Sequence, residues 1–379
     1  MEGKPENLKE LIKQGYVFPA WLPDKNDYLL NEQGRKQRKI IISGQNNNFP
    51  KDIKYLDLSK LDSIDGYFGF LTEKDYGALS PLMWNTFFER KGLNLRTIYF
   101  VSDPKNAEIV VRGLKRDSKY LGGGFGSGWK EELRFLDRVE PEGLAAVNNI
   151  GRDKKTGELI GYNTDVAGFL RPLEMKFNEI HKPGLEGKII VLFGAGGVSK
   201  ELTRELARKG VDKLMIINRT VSKAEDIAND VNQIKPGVAE YSGEDKIEEH
   251  LVKSNIDAVI NTSKKGAEPL ENFSAFAQIN TDDINGVRKN NERSLYITKR
   301  LAEINPSIVV YDITLPKREI SKTLELARQA GLKNLVDGKG MVVNQGVIAI
   351  KNVEKKNPGI FGEKLDEREV EEVFEGVAN

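Results

Sequence analysis

The chain has 379 residues, of which 39% are hydrophobic and 30% charged, and a formal net charge of +1. That length supports two cores, and the charge balance excludes a global attraction to nucleic acid or to an anionic membrane surface. Without cysteine, and with only His181 and His250 for imidazole, neither a disulfide nor a Cys/His zinc site can be built, so chemistry falls to Lys, Asp, Glu, Tyr or a bound cofactor.

The N-terminus, MEGKPENLKELIKQG, lacks the apolar core of a secretory signal. No run approaches the roughly 20 apolar residues that span a bilayer, and a cytoplasmic protein without membrane contact is expected. Residues 1–60 read as a polar extension holding a short helix (Asn7 to Gln14), a Trp/Pro segment, a basic patch (Arg35, Lys36, Arg38, Lys39), a strand over Ile40 to Ile42 and the loop GQNNNFP. From Asp65 the pattern turns α/β. GYFGFL predicts a strand, and Ser80-Pro81 predicts a helix start with Ser80 as N-cap, followed by the amphipathic set Leu82, Met83, Trp84, Phe87 and Phe88. Thr97 to Ser102 predicts a strand and KNAEIVVRGLKR the helix behind it.

LGGGFGSGWK (residues 121–130) reads as a flexible glycine-rich loop that delivers Lys130; its ending, G-W-K-E, is not the G-K-[ST] of a Walker A loop. Asn148 to Ile150 and Glu158 to Gly161 flank DKKTG as a hairpin. In the following GYNTDVAGF, Asn163, Thr164 or Asp165 can cap the next helix.

Lys188 to Thr220 reads as strand, glycine turn, helix and strand: an apolar run (Ile189 to Phe193), the turn Gly194-Ala195-Gly196-Gly197-Val198, apolar positions near helical spacing, and a second run (Leu214 to Ile217). Glycines that open a helix let backbone N–H groups and the positive helix end meet a pyrophosphate, because no Cβ blocks the approach. The third position of the G-x-G-x-x-G/A pattern is Ser199. Where an NAD site usually places an acid for the ribose 2′-hydroxyl, this chain has Asn218, Arg219 and Thr220, with Lys223 one turn on, which predicts NADP. Beyond it, AEDIANDVNQI predicts a helix, Asp257 to Ile260 a strand ending at Asn261-Thr262-Ser263, and Ile308 to Ile313 another strand. Residues 272–305 read as an insertion with a surface helix around Glu292 to Ile304, and the tail from Asn352 as a charged helix.

Four segments in this order carry a family resemblance: AAVNN (Ala145 to Asn149), GYNTDVAGF (Gly161 to Phe169), FGAGG with NRT, and DGKGMVVNQ (Asp337 to Gln345). Over Gly66 to Ile350 the chain resembles the shikimate/quinate dehydrogenases. The resemblance implies an N-terminal α/β substrate domain (residues 61–182), a doubly wound Rossmann-like NADP domain (residues 183–338) facing it across a cleft, and C-terminal helices (339–379) returning to the first domain. It further implies catalysis by Lys130 and Asp165 on one substrate hydroxyl, substrate contacts from Ser80, Asn148 and Gln345, cofactor contacts that include Thr262, Gly338 and Met341, and no metal. A lysine near a carboxylate is pushed towards a higher pKa and a desolvated lysine towards a lower one.

Three departures stand out. The family's S-x-S-P is Ala78-Leu79-Ser80-Pro81, its N-V-T-x-P before the lysine is Gly124-Phe125-Gly126-Ser127-Gly128, and the tyrosine of its D-x-V-Y-x-P has no counterpart in Asp312-Ile313-Thr314-Leu315-Pro316. The expected activity is NADP-dependent interconversion of 3-dehydroshikimate and shikimate or a related cyclic polyol acid, by a monomer or homodimer with no nucleic-acid partner. The competing readings are a quinate, aminoshikimate or cyclitol dehydrogenase, and a nucleotide-binding sensor without turnover. The lost hydroxyls imply either a carboxylate site rebuilt from Ser127 and an amide nest of Gly122 to Gly128, or a weak activity on shikimate and a better one on a bulkier relative.

Overall fold

The computed structural model describes residues 4–19, 29–43, 54–74, 78–253, 255–279, 283–316 and 319–378. The Trp/Pro segment and the GQNNNFP loop expected near the N-terminus lie outside the described residues. Residue contacts divide the chain into two units, one of residues 1–164 with 345–379 and one of residues 165–344.

In the first unit, β1 (Phe18–Pro19), β2 (Gly66–Thr72), β3 (Leu95–Val101), β4 (Tyr120–Phe125), β5 (Arg138–Val139), β6 (Asn149–Arg152) and β7 (Leu159–Tyr162) form one sheet in the order β1-β3-β2-β4-β6-β7-β5. β3, β2 and β4 are parallel, whereas β1, β6 and β7 add antiparallel neighbours. Parallel strands are covered on both faces, which is why GYFGFL is apolar throughout instead of alternating.

The described residues before 60 pack into this unit instead of standing outside it. Leu8, Leu11 and Ile12 of the helix Leu8–Lys13 are buried in the same core as Val110, Leu114 and Tyr120. The Leu8 amide donates to Oδ2 of Asp117 at 3.0 Å, and the Ser102 hydroxyl to the Tyr16 carbonyl at 2.6 Å. The strand expected over Ile40 to Ile42 is instead the end of a helix, Glu32–Ser43. Asn31 explains it: its Oδ1 accepts from the Gly34 amide at 2.8 Å, a capping bond that starts a helix and carries the β-branched run along with it.

The glycine-rich segment is also corrected. Gly122, Gly123 and Gly124 belong to β4 and are buried, not part of a loop. At Gly123, with φ +142°, a Cβ would lie 2.0 Å from the Gly69 carbonyl oxygen. These glycines exist because neighbouring backbones come too close for side chains. Over Gly122 to Gly124 a strand therefore stands where the amide nest was expected. The Gly126 amide donates to Leu71 and the Trp129 amide to Gly126, while a Cβ on Gly128 would meet the Glu73 side chain, carboxylate included.

The second unit holds β8 (Ile189–Phe193), β9 (Lys213–Ile217), β10 (Ala239–Ser242), β11 (Ala258–Asn261), β12 (Val309–Asp312) and β13 (Asn334–Val336), all parallel, in the order β10-β9-β8-β11-β12-β13. Apolar clusters cover both faces, one built on Leu192, Leu202 and Ile216, the other on Val191, Ile217 and Leu301. This is the doubly wound sheet expected. The insertion proves to be the β11-to-β12 crossover that two parallel neighbours require. Its helix starts earlier than expected, at Gly286, runs to Ile304, and buries Ile297, Thr298 and Leu301. No described helix is long and apolar enough to cross a membrane.

Candidate active site

The strand β8 ends at Gly194, whose φ of +111° and whose distance to the neighbouring loop exclude a side chain: a Cβ would sit 2.8 Å from the Ser263 amide nitrogen. At Gly196 and Gly197 a Cβ would meet nothing within 4 Å, so the turn there is open where a ligand's phosphates would pass. Gly197 and Val198 begin the helix Gly197–Arg208. Ser199 is buried and its Oγ accepts from the Gly196 amide at 3.1 Å while lying 2.8 Å from the Thr262 Oγ1. Thr262 gives its own proton to the Phe193 carbonyl at 2.9 Å, so Ser199 must be the donor between the two hydroxyls. The unusual third position thus fixes the turn to β8 and to the loop after β11.

A cleft of about 420 Å³ opens beside this turn, lined by Gly194, Ala195, Gly196, Asn218, Arg219, Thr220, Lys223 and Thr262 among others. Asn218 follows β9 and its side-chain amide donates to the Thr220 carbonyl at 2.9 Å, shaping the turn that presents Arg219. Arg219 and Lys223 are exposed cations. An open glycine turn at a helix N-terminus with an arginine one strand away is the donor set that fits a dinucleotide carrying a 2′-phosphate. Gly338 and Met341 are not among the residues lining this cleft. Gly338 is explained by crowding, since a Cβ would be 2.4 Å from the Ile313 carbonyl oxygen, and Met341 packs partly buried against the core of the unit.

Two lining residues carried no signal in the sequence. Glu244, just after β10, and Lys265, in the loop after β11, form an ion pair at 2.8 Å with side chains 10% and 5% exposed. Burial lowers the Lys265 pKa, and Arg219 adds to the effect while Glu244 opposes it. The two partners are 21 positions apart, so neither neighbourhood signals the pair.

In the first unit, three of the expected substrate residues are brought together. Asn148 Nδ2 donates to Gln345 Oε1 at 3.0 Å and to Thr164 Oγ1 at 3.0 Å, and its Oδ1 accepts from the Thr164 amide at 2.7 Å. Gln345 Nε2 points to Ser80 Oγ at 3.4 Å. Ser80 is not an N-cap: it lies inside the helix Ser80–Arg90 and its hydroxyl makes no capping bond. The helix is instead held to β3 by Asn85, which donates to the Thr97 carbonyl at 3.0 Å and accepts from the Thr97 amide at 2.6 Å.

Lys130 stands in the turn after β4, partly buried, with its carbonyl accepting from Val147 at 2.8 Å. The preceding Trp129 is fully buried and donates from Nε1 to the Ser102 carbonyl, which anchors the turn, a role that nothing in its local pattern signals. Asp165 opens the helix Asp165–Glu179 of the second unit.

A protein-family model for shikimate/quinate 5-dehydrogenase matches residues 176–283. The NADP(+)-dependent shikimate dehydrogenase of Caldanaerobacter subterraneus subsp. tengcongensis is 32% identical over 295 residues, covering 76% of this chain and 92% of the relative. The chain belongs to the shikimate dehydrogenase family. Among solved structures, a shikimate dehydrogenase in complex with NADP+ is 25% identical, with a TM-score of 0.60 over 82% of this chain and 94% of that one. A shikimate 5-dehydrogenase from Listeria monocytogenes, in complex with shikimate and NAD, is 22% identical with a TM-score of 0.64 over 81% and 96%, a likeness of fold.

Proposed function

We propose that the protein is an NADP-dependent oxidoreductase that interconverts a ketone and a secondary alcohol on shikimate or a closely related cyclic polyol acid. The observation that carries this reading is family membership across nearly the whole length of an NADP-dependent shikimate dehydrogenase. The cleft beside Gly196 and Arg219 supports the cofactor, and the chain of polar side chains from Ser80 through Gln345 and Asn148 supports a hydroxylated substrate.

In this reading Gly194 to Val198 hold the pyrophosphate, Arg219, Thr220 and Lys223 hold the 2′-phosphate, and Thr262, Gly338 and Met341 border the rest of the cofactor. When bound, NADP supplies the hydride acceptor at C4 of its nicotinamide. Lys130 and Asp165 are assigned to the substrate hydroxyl whose carbon gives up the hydride, one taking the proton as the C–H bond breaks and the other orienting the hydroxyl and balancing charge. Ser80, Asn148 and Gln345 orient the remaining polar groups of the substrate. The unit of residues 1–164 with 345–379 takes the role of substrate domain, and that of residues 165–344 the role of cofactor domain. The setting is read as cytoplasmic, with a monomer or homodimer as the working form and no nucleic-acid partner.

Purified protein mixed with NADP and a panel of cyclic hydroxy acids tests this by the rise of reduced-nicotinamide absorbance. Turnover with shikimate, lost about 10²- to 10⁴-fold in Lys130→Ala while NADP still binds, is the expected result. NADP binding with no turnover on any cyclic acid would turn the reading towards a sensor.

A further inference from the structure

The Glu244 side chain is nine-tenths buried at the wall of the cleft that contains Arg219, and only one of its two oxygens is engaged. Oε1 meets Lys265 Nζ at 2.8 Å, and Lys265 also donates to the Ala277 carbonyl at 2.8 Å. Oε2 is buried without a hydrogen-bond partner among the described residues. A buried carboxylate oxygen left unpaired is unfavourable, and in a residue that lines a cleft it is the acceptor a ligand donor would satisfy.

Its place in the sheet says which donor. The strand order runs outward from β8 to β9 to β10. The pyrophosphate belongs to the glycine turn after β8 and the 2′-phosphate to Arg219 after β9. The next group outward is the base, and the next strand end is that of β10, where Glu244 stands. Leu270 and Ile279 supply apolar walls to the same cleft.

We propose that Glu244 is the base-reading residue of the cofactor site, its Oε2 accepting a hydrogen bond from the exocyclic 6-amino group of adenine. The inference rests on the NADP reading above. Adenine presents an N–H donor at this position, whereas hypoxanthine and guanine present a carbonyl oxygen that faces the carboxylate lone pairs and is repelled. Lys265 is the positioning residue: it holds Oε1 and so leaves Oε2 for the base, and its charge offsets a carboxylate that would otherwise oppose a 2′-phosphate nearby. The 2′-phosphate is identical in adenine and hypoxanthine dinucleotides, so the ratio of their affinities isolates the base.

Dissociation constants are measured by calorimetry for NADP, for its 6-deamino (hypoxanthine) analogue and for NAD, with the full chain and with Glu244→Gln and the double variant Glu244→Gln/Lys265→Met. The parent should bind NADP roughly ten- to hundredfold tighter than the deamino analogue, the usual worth of a hydrogen bond to a charged group. Glu244→Gln, whose amide offers both a donor and an acceptor, should bring that ratio close to one. The double variant should do the same without leaving a buried lysine unpaired, and circular dichroism checks that each is folded. Equal binding of the two dinucleotides by the parent overturns the inference while leaving NADP use intact. A ratio unchanged in both variants, or a change confined to the NADP-to-NAD ratio, also overturns it, the latter by assigning Glu244 to the ribose. Failure of the parent to bind NADP at all overturns both this and the reading beneath it.

Discussion

Asn148 and Gln345, 197 positions apart, share a hydrogen bond of 3.0 Å that joins the loop before β6 to the helix Gly338–Lys356. Thr164 fixes the other side of Asn148 by accepting at Oγ1 and donating from its amide, so the Asn148 side-chain amide has one orientation. Gln345 is left with an Nε2 directed at Ser80. Gln345→Ala removes the partner of both and should raise KM for shikimate by about tenfold, as loss of one or two hydrogen bonds implies. Steady-state kinetics and NADP titration check it: an equal loss of NADP affinity would place Gln345 outside the substrate site.

Arg219 follows β9 and is exposed at the rim of the cleft. A guanidinium meets a phosphate with paired, charge-assisted bonds, which an NAD ribose cannot offer. Arg219→Ala should weaken NADP by roughly ten- to hundredfold and leave NAD nearly unchanged. Parallel loss for both dinucleotides, read by calorimetry, would remove Arg219 from the 2′-phosphate site.

What could be read from the sequence was what is encoded locally. The βαβ unit from Ile189 to Ile217 was legible because strand, glycine turn and helix are contiguous and each leaves its own period. Ser80, Asn148 and Gln345 were legible only through motifs, since nothing in their separate neighbourhoods requires that they meet. The glycines 122–124 misled because glycine marks both loops and strands whose neighbours come too close, and only the partner strand at Gly69 decides between them. The helix over residues 8–13 was legible but its burial was not: Leu8 and Asp117 are 109 positions apart, and the polarity of the segment concealed three buried side chains on one helix face. Glu244 left no trace because a glutamate after a strand is ordinary until Lys265 is seen against it.

Gly123 gives a direct check on the corrected strand. With φ at +142° and a would-be Cβ 2.0 Å from the Gly69 carbonyl oxygen, Gly123→Ala must displace backbone at the centre of the first sheet. The expected loss is more than about 3 kcal/mol, combining left-handed strain with overpacking. A flexible loop would tolerate the change. A denaturation midpoint within experimental error of the parent would restore the loop description.

Arg204 and Asp230 link the helices Gly197–Arg208 and Val221–Ile234 through two parallel bonds, Nε to Oδ2 at 2.6 Å and an Nη to Oδ1 at 2.8 Å. The guanidinium is the main reason that the Asp230 pKa lies below its ordinary value. A carboxylate with a depressed folded-state pKa contributes stability that is present above the unfolded value of about 3.9 and is lost as pH falls through the folded one. Asp230→Asn should therefore lower stability at neutral pH by up to about 1 kcal/mol, the range for partly exposed pairs. The gap between parent and variant should close in acid, as followed by denaturant unfolding at both pH values. A gap that is the same at both would detach the effect from ionisation.

Ala78 tests how the substrate carboxylate is held. The resemblance places two serine hydroxyls in this segment and the chain retains one, Ser80, whose Oγ lies near Gln345 Nε2. Little of the glycine segment is left for an amide nest: Gly122 to Gly124 are in a strand, the Gly126 amide is bonded to Leu71, and the Glu73 carboxylate lies beside Gly128. An acid beside that turn disfavours a second anion there. The expected consequence is a weaker grip on shikimate than the two-serine pattern gives, which a restored hydroxyl should recover. Ala78→Ser is expected to raise kcat/KM for shikimate by roughly tenfold, mainly through KM, since one hydrogen bond to a carboxylate is worth about 1.5–3 kcal/mol at best. If the variant gains nothing on shikimate while the parent is already efficient, another group holds the carboxylate. If the parent prefers quinate or an aminoshikimate and the serine lowers that preference, Ala78 is the feature that sets the substrate.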